Sequence, residues 1–344
     1  MDEKTLEELT KKVQEWTNQV PLIILGSGAS IPYGIPSMCE LGEHLKNNII
    51  FTEDEDIQQF DSFKTEFNKS KDLETTLLNM QLRDTVLNEI VCKTWNLINQ
   101  KDIEFYNKLL QDNSTMPLVE LIKHLLYPTQ HKLTIVTTNY DRLVEYAASI
   151  ANAFICNGFA SSYYGGFLTN IIKTDFSKVN CFKGQLNLLK VHGSLDWFAK
   201  DNNYFQLPLQ NIIPTNYTPS IVTPGIRKYE QSFSEEPFRT IFSEADTAIE
   251  NAASFFCVGY GFNDKHVHTK LLTQIKNNKP IIVITKELTT KTKESIINNH
   301  CKNYCLFEQA NENDTRVYSS AFSGEKVISD KSYWKLDEYL KLIK

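Results

Sequence analysis

Pro21-Leu22-Ile23-Ile24-Leu25-Gly26-Ser27-Gly28-Ala29-Ser30-Ile31-Pro32-Tyr33-Gly34-Ile35-Pro36 is the stretch on which the reading of this chain turns. Leu22 to Leu25 is an aliphatic run without alternation, the pattern of a strand buried on both faces and hence of a parallel sheet covered by helices. The glycines then turn the chain. Gly26 and Gly28 let backbone approach a ligand without side-chain interference, and successive N–H groups in such a turn cradle phosphate oxygens. Alone, the stretch is open to two readings, a nucleotide loop or a plain tight turn. Ile31 stands where the dinucleotide fingerprint has its third glycine, and no acidic strand end follows about 20 residues on.

Working outward, Leu6, Leu9, Val13 and Trp16 recur at helical spacing and predict an amphipathic helix over residues 2 to 18. Ser37 is a candidate N-cap for a helix through Leu41 and Leu45. From Asp72 to about Ile98, the pattern Leu73, Leu77, Met80, Val86, Ile90 and Trp95, with no Gly or Pro, predicts one long helix or a helix pair. Shorter helical segments follow at Ile103 to Leu110 and Leu118 to Leu126. With no strand pattern in residues 40–130, that stretch is expected to be a helical module inserted into a sheet domain.

Strand patterns resume at Leu133 to Thr137, Ala153 to Cys156, Leu188 to Val191, Ile221 to Thr223, Phe255 to Val258 and Ile281 to Ile284. Helical patterns at Asp141 to Ile150, Glu236 to Ala252 and Asp264 to Lys276 separate several of them. This alternation predicts an α/β fold with a doubly wound sheet that includes the first strand. Phe198 to Pro219 reads as loop, and Tyr333, Leu336, Tyr339, Leu340 and Ile343 share one face of a closing helix, so 311–344 is expected to be a C-terminal helical extension.

At 344 residues, with 41% hydrophobic and 23% charged residues, the chain has the make-up of a globular protein with a sizeable core. A net charge of −6 argues against nucleic acid as the main ligand, which needs clustered positive charge. No apolar leader and no long apolar run is present, so a cytoplasmic protein without a membrane anchor is expected. The seven cysteines contain no C-x-x-C pair, which implies neither a disulfide framework nor a zinc ribbon, and Cys301 and Cys305 read as ordinary thiols. His266 and His268, two apart on a helix, do not share a face, so no metal pair is expected.

In an open α/β sheet, ligands bind outside the carboxyl ends of the strands. There this sequence places the Gly26 turn, Thr137-Thr138-Asn139-Tyr140-Asp141, His192-Gly193-Ser194, and Gly259-Tyr260-Gly261-Phe262-Asn263-Asp264. Each has a purely structural reading: Asp141 and Asp264 as helix N-caps, Asn139 as a turn-former, His192 bonded to a nearby carbonyl. His192 is the sharpest single candidate, since it follows an apolar strand and titrates near neutral pH.

Taken in order, Gly26-Ser27-Gly28-Ala29-Ser30 with Gly34-Ile35-Pro36-Ser37, Thr137-Thr138-Asn139-Tyr140-Asp141, Val191-His192-Gly193-Ser194-Leu195-Asp196-Trp197 and Gly259-Tyr260-Gly261-Phe262-Asn263-Asp264 resemble the motifs of sirtuin-like domains. The bacterial antiphage-defence branch is the closer resemblance, helped by Asn157-Gly158-Phe159 and by Thr223-Pro224-Gly225 with Lys228-Tyr229. Departures from the deacylases are Ser37-Met38-Cys39 in place of Asp-Phe-Arg, Thr138 in place of Gln, and the absent zinc-binding C-x-x-C pairs.

The resemblance implies a Rossmann-like, mostly parallel sheet without a zinc ribbon, residues 1–310 forming the NAD-binding domain around the helical module. It implies hydrolysis of NAD+ to nicotinamide and ADP-ribose, with NAD+ as substrate and no metal, depleting the host's NAD+ in antiphage defence. A homo-oligomer working with a HerA-type ATPase or another phage-sensing partner is implied too. On this reading Asn139 holds the ribose hydroxyls or the water, His192 is the general base, and Asp141 orients a neighbour or places charge near the developing cation. Gly26, Gly28, Ala29 and Ser30 hold the pyrophosphate, Gly259 and Gly261 close over the ribose, and Ile35, Pro36, Thr138 and Asp264 complete the dinucleotide site. Thr285-Lys286-Glu287 borders the adenine. The rival readings are a non-catalytic sensor or scaffold that binds NAD+ or ADP-ribose, and an NAD-dependent protein deacylase.

Overall fold

The computed structural model describes residues 1–78, 80–112, 116–127, 131–177, 181–222, 235–299 and 301–344. Thr223-Pro224-Gly225 and Lys228-Tyr229 lie outside them. The strands, in chain order, are β1 (Leu22–Leu25), β2 (Lys132–Thr137), β3 (Phe154–Cys156), β4 (Gly165–Gly166), β5 (Gln185–Lys190), β6 (Gly193–Lys200) and β7 (Asn203–Gln206). They continue with β8 (Thr218–Ile221), β9 (Phe255–Val258), β10 (Ile281–Ile284), β11 (Tyr304–Asn311), β12 (Asp314–Ser319) and β13 (Glu325–Ile328).

Among the described residues, β1 lies inside a nine-stranded sheet of order β13-β12-β11-β10-β9-β1-β2-β5-β3. The pairings from β11 across to β3 are all parallel, and only β12 and β13 run antiparallel at one edge. The aliphatic run explains the central place of β1: Ile23 and Leu25 point into one core, Leu22 and Ile24 into the other, and all four are buried. Helices Glu3–Asn18, Pro117–Leu125, Leu143–Ile150 and Leu336–Ile343 supply the first core, and Phe238–Asn251 with Lys265–Lys276 the second. The fold is therefore α/β with helices on both faces of a mostly parallel sheet. No described helix is long and apolar enough to cross a membrane.

Residues 40–130 hold only helices among the described residues, and the largest, Asp84–Asp112, absorbs the segment expected separately at Ile103 to Leu110. Ser37 does cap Met38–Asn48, through a capping box in which Glu40 Oε2 accepts the Ser37 amide at 2.7 Å. Two contacts fasten the long helix beside the strand ends. Trp95 Nε1 donates to Leu195 O at 2.8 Å, and the buried Asp102 carboxylate takes the Arg142 backbone N–H at 2.7 Å and its guanidinium at 2.7 and 2.9 Å.

Three expectations need correction. Phe198 to Pro219 is loop only in part: residues 207–217 carry no strand or helix, but the end of β6, all of β7 and the start of β8 belong to a second, antiparallel sheet of order β4-β7-β6-β8. Its hairpin turns at Asp201 and Asn202, both left-handed at φ 50° and 59°, which are residues that tolerate such backbone in two-residue turns. Of the strand expected at Ile221 to Thr223, only Ile221 is in a strand, the last residue of β8 in that sheet and not in the main one, and Thr223 lies outside the described residues. And 311–344 is not wholly helical, because alternating burial of Thr315, Val317 and Ser319 marks β12, and β13 precedes the closing helix Leu336–Ile343. Strand β11, missed in the sequence, extends the parallel run beyond β10.

Candidate active site

β1 and β9 are neighbours whose onward connections leave in opposite directions, β1 toward β2 and β9 toward β10, so the crevice between their carboxyl ends is the topological switch point. The glycines predicted there meet each other. Gly26 N donates to Val258 O at 3.1 Å and Gly28 N to Gly259 O at 3.0 Å. A Cβ on Gly26 would lie 2.5 Å from Gly259 O, and one on Gly259, itself left-handed at φ 57°, would lie 2.2 Å from Ala29 N. Only bare backbone permits this approach. It opens onto a cavity of about 650 Å³ whose lining includes Gly28, Ala29, Ser30, Asn139, Asp141 and Gly259, together with Ile284 to Lys286 and Trp334 to Asp337.

The turn after β2 brings its polar residues to the same loop. Asn139 Nδ2 donates to Gly26 O and to Ser30 Oγ, both at 2.9 Å, and Ser30 Oγ donates to Asp141 Oδ2 at 2.7 Å. Both amide hydrogens of Asn139 are thus taken, which leaves Oδ1 as what it offers a ligand. Asp141 Oδ1 accepts the Leu143 amide at 3.3 Å, but the residue at the N-cap of Leu143–Ile150 is Arg142, so Asp141 is not the helix cap that the sequence suggested. Burial pushes its carboxyl up, against the pull of Lys190 and the Ser30 hydroxyl.

The neighbouring strand end carries the imidazole. β2 and β5 pair in register with Thr137 opposite Lys190, so Asn139 and His192 each leave the sheet two residues beyond a paired position. His192 is buried, with Nε2 2.9 Å from Asp264 Oδ2. Burial disfavours its charged form, but the hydrogen bond and charge of Asp264, with the field of Glu74, outweigh that and raise its pKa above 6.5. Asp264, though buried, is correspondingly held below the ordinary carboxylate value by its bond to His192 and by the Val267 amide.

Glu74, on Leu73–Leu78 of the helical module, was not foreseen. Burial pushes its carboxyl up to about 7, the charges of Asp264 and Asp72 adding to the rise and those of His192 and Lys291 opposing it. Its only sequence signal was a carboxylate among apolar positions of a helix distant in the chain. Lys190, equally unforeseen, is a charged residue closing an apolar strand.

Of the residues singled out in the sequence, Gly28, Ala29, Ser30, Asn139, Asp141 and Gly259 line the cavity together, and Gly26 sits behind them through its bonds to Asn139 and Val258. Ile35, Pro36, Thr138, Gly261, Asp264 and His192 are not part of that lining. Gly261 O accepts from Thr289 Oγ1 at 2.8 Å, and Asp264 partners the imidazole while capping Lys265–Lys276. No metal-holding cluster of His, Cys, Asp or Glu is found among the described residues.

Residues 133–304, the half of the sequence that carries the Asn139 turn, His192 and Asp264, match the family model for the SIR2-like domain. The chain belongs to this family. No curated protein matches this SIR2-like chain. Solved structures similar to it include a mutant Sir2 homologue in complex with ADP ribose, at 17% identity and TM-score 0.44 over 85% of this chain and 88% of that one. A Sir2 homologue in complex with NAD matches at 16% identity and TM-score 0.40 over 87% of each chain. Sir2Tm bound to a propionylated peptide matches at 13% identity and TM-score 0.41 over 84% of this chain and 89% of that one.

Proposed function

We propose that this SIR2-like chain is an NAD+ glycohydrolase that cleaves NAD+ to nicotinamide and ADP-ribose. The observation that supports the reading is the register of β2 and β5, in which Asn139 and His192 each follow a paired strand position by two residues, Asn139 lining the cavity and His192 buried outside its lining. The cavity, at about 650 Å³, falls in the range of cofactor sites, and the two loops at its mouth pack so closely that a Cβ at Gly26, Gly28 or Gly259 would clash with neighbouring backbone.

On this reading the diphosphate lies against the bare backbone of the Gly26–Ser30 loop, and the Ile284 to Lys286 and Trp334 side takes the adenosine. The Gly26, Gly28, Ala29 and Ser30 amides are already bonded to carbonyls and so shape the cradle rather than donate to it. Nicotinamide in NAD+ is a cationic leaving group, so breaking its bond to the ribose needs no acid; the electron pair of that bond leaves with it as neutral nicotinamide. Asn139 Oδ1 accepts from a ribose hydroxyl or from the attacking water. His192 takes the proton of that water as its oxygen bonds to the ribose carbon, and Asp264 stabilises the imidazolium so formed. Asp141, whose carboxyl is pushed up by burial against the pull of Lys190, adds negative charge near the ribose in its ionised form.

Antiphage NAD+ depletion, a homo-oligomer and a HerA-type ATPase or other phage-sensing partner belong to the same proposal, and the motif resemblance supports them. Cytoplasmic localisation is part of it, in keeping with a substrate held inside the cell.

The test is NAD+ incubated with purified protein, alone and with the co-expressed partner, with nicotinamide and ADP-ribose quantified. Expected is their equimolar release, lowered about 10²- to 10⁴-fold in folded His192→Ala. Binding of ADP-ribose without release under both conditions would instead establish the sensor reading, and release that needs an acyl-lysine peptide would establish the deacylase.

A further inference from the structure

Lys190 is fully buried at the end of β5. An ammonium has three N–H donors, and Lys190 Nζ reaches three acceptors: Tyr140 O at 3.2 Å, Asp141 O at 2.5 Å and Glu145 Oε1 at 2.9 Å. All three belong to the turn after β2 and the first turn of Leu143–Ile150. The other Glu145 carboxylate oxygen is buried with no hydrogen-bond partner among the described residues, so Lys190 is the principal compensation for that charge.

Burying an ammonium and a carboxylate is expensive, and an apolar pair of similar volume generally stabilises a core as well or better. The neighbours Leu186, Leu188 and Leu189 show that this strand end accepts apolar side chains. What methionine could not do is bind two successive backbone carbonyls. Those carbonyls, of Tyr140 and Asp141, directly follow Asn139, whose amide spans to Gly26 O and Ser30 Oγ. Lys190 also sits two residues before His192 on the same segment, so one short piece of chain carries the imidazole and the tether that fixes the amide relative to it.

We propose that Lys190 is a positioning residue of the SIR2-like site: it locks the Asn139-Tyr140-Asp141 turn to the strand that presents His192, setting the distance between the two halves of the site. Its catalytic consequence rests on the NAD+ hydrolase reading; the tether itself does not.

The experiment compares wild type with Lys190→Met and with the double variant Lys190→Met/Glu145→Leu, which removes both members of the buried Lys190–Glu145 pair. Melting temperature, amide hydrogen exchange of residues 137–146, and NAD+ turnover are measured on each. In the double variant the melting temperature stays near wild type and exchange of 137–146 accelerates at least about 10-fold. There kcat falls about 10- to 100-fold while KM moves far less, the expected loss for a displacement near 1 Å of a reacting group. Wild-type exchange or wild-type kcat in the folded double variant overturns the proposal, and so does a large drop in its melting temperature, which would make the role structural. If the wild type leaves NAD+ intact, the hydrolase reading fails, while the exchange measurement still decides the tether.

Discussion

Asp264 joins the imidazole of His192 to the start of a helix: Oδ2 lies 2.9 Å from His192 Nε2, and Oδ1 accepts the Val267 amide at 2.8 Å. A helix N-terminus favours an ionised carboxylate, so the acid that caps Lys265–Lys276 is kept charged where it faces the ring. The bond also holds the ring's orientation.

From this pairing follows a pH effect on catalysis. A base must be neutral to act, so with His192 as the proposed base the expected rate of the wild type rises with pH through a His192 pKa above 6.5. In Asp264→Asn the raising charge is gone while a side-chain cap is retained, and the acidic limb of kcat/KM moves to lower pH. An unmoved limb would remove Asp264 from this role.

Glu74 gives stability the opposite kind of signature. Its folded pKa of about 7 exceeds the ordinary 4.5, so the native state binds the proton more tightly than the unfolded chain. Stability from this group is fully present below about 4.5 and declines as pH rises toward 7. Glu74→Gln is expected to flatten that part of the pH dependence in urea unfolding followed between pH 4.5 and 7.5, and an unchanged slope would count against it. His192 adds a loss of the same sign, present in full below 6.5 and fading as pH rises through its folded value.

Gly259→Ala puts a methyl 2.2 Å from Ala29 N at a left-handed φ of 57°. Strained backbone alone costs on the order of 1–3 kcal/mol, and the clash pushes the Gly26–Ser30 loop, the proposed diphosphate cradle, outward as well. Calorimetry should show ADP-ribose binding lost and a lowered melting temperature, with Gly166→Ala, where nothing lies within 4 Å of the added carbon, near wild type in both. Wild-type ADP-ribose affinity in Gly259→Ala would refute the crevice as the phosphate site.

Asp102→Ala strands the Arg142 guanidinium, which is 4% exposed and pairs with that carboxylate. Removing one partner of a buried pair costs about 3–5 kcal/mol, so a large drop in the urea midpoint is expected. Asp102→Leu with Arg142→Met should lose far less, and equal losses in the two variants would contradict the argument.

The central architecture was legible because β1, β9 and β10 are unbroken apolar runs, each ended by residues that a buried strand would not carry. Asn139, His192 and the glycines were legible by the same rule of strand ends. The outer sheet was not, since β7 holds only four residues and its polar turn, Asp201 and Asn202, made a hairpin look like loop. Glu74 and Lys190 escaped for a different reason: their meaning lies in pairings across distant parts of the chain, with His192 and with the Tyr140 and Asp141 carbonyls. Local spacing carries no trace of those.

The alignment of Thr137 with Lys190 also dictates where this chain can change length. Successive residues at a strand end face opposite ways, so one amino acid added or deleted between Lys190 and His192 would swing the imidazole away from Asp264 while leaving the hydrophobic interior intact. Insertions are therefore tolerable in the surface connections and ruinous across that two-residue step, whose length matters more to the site than the identity of any single side chain nearby.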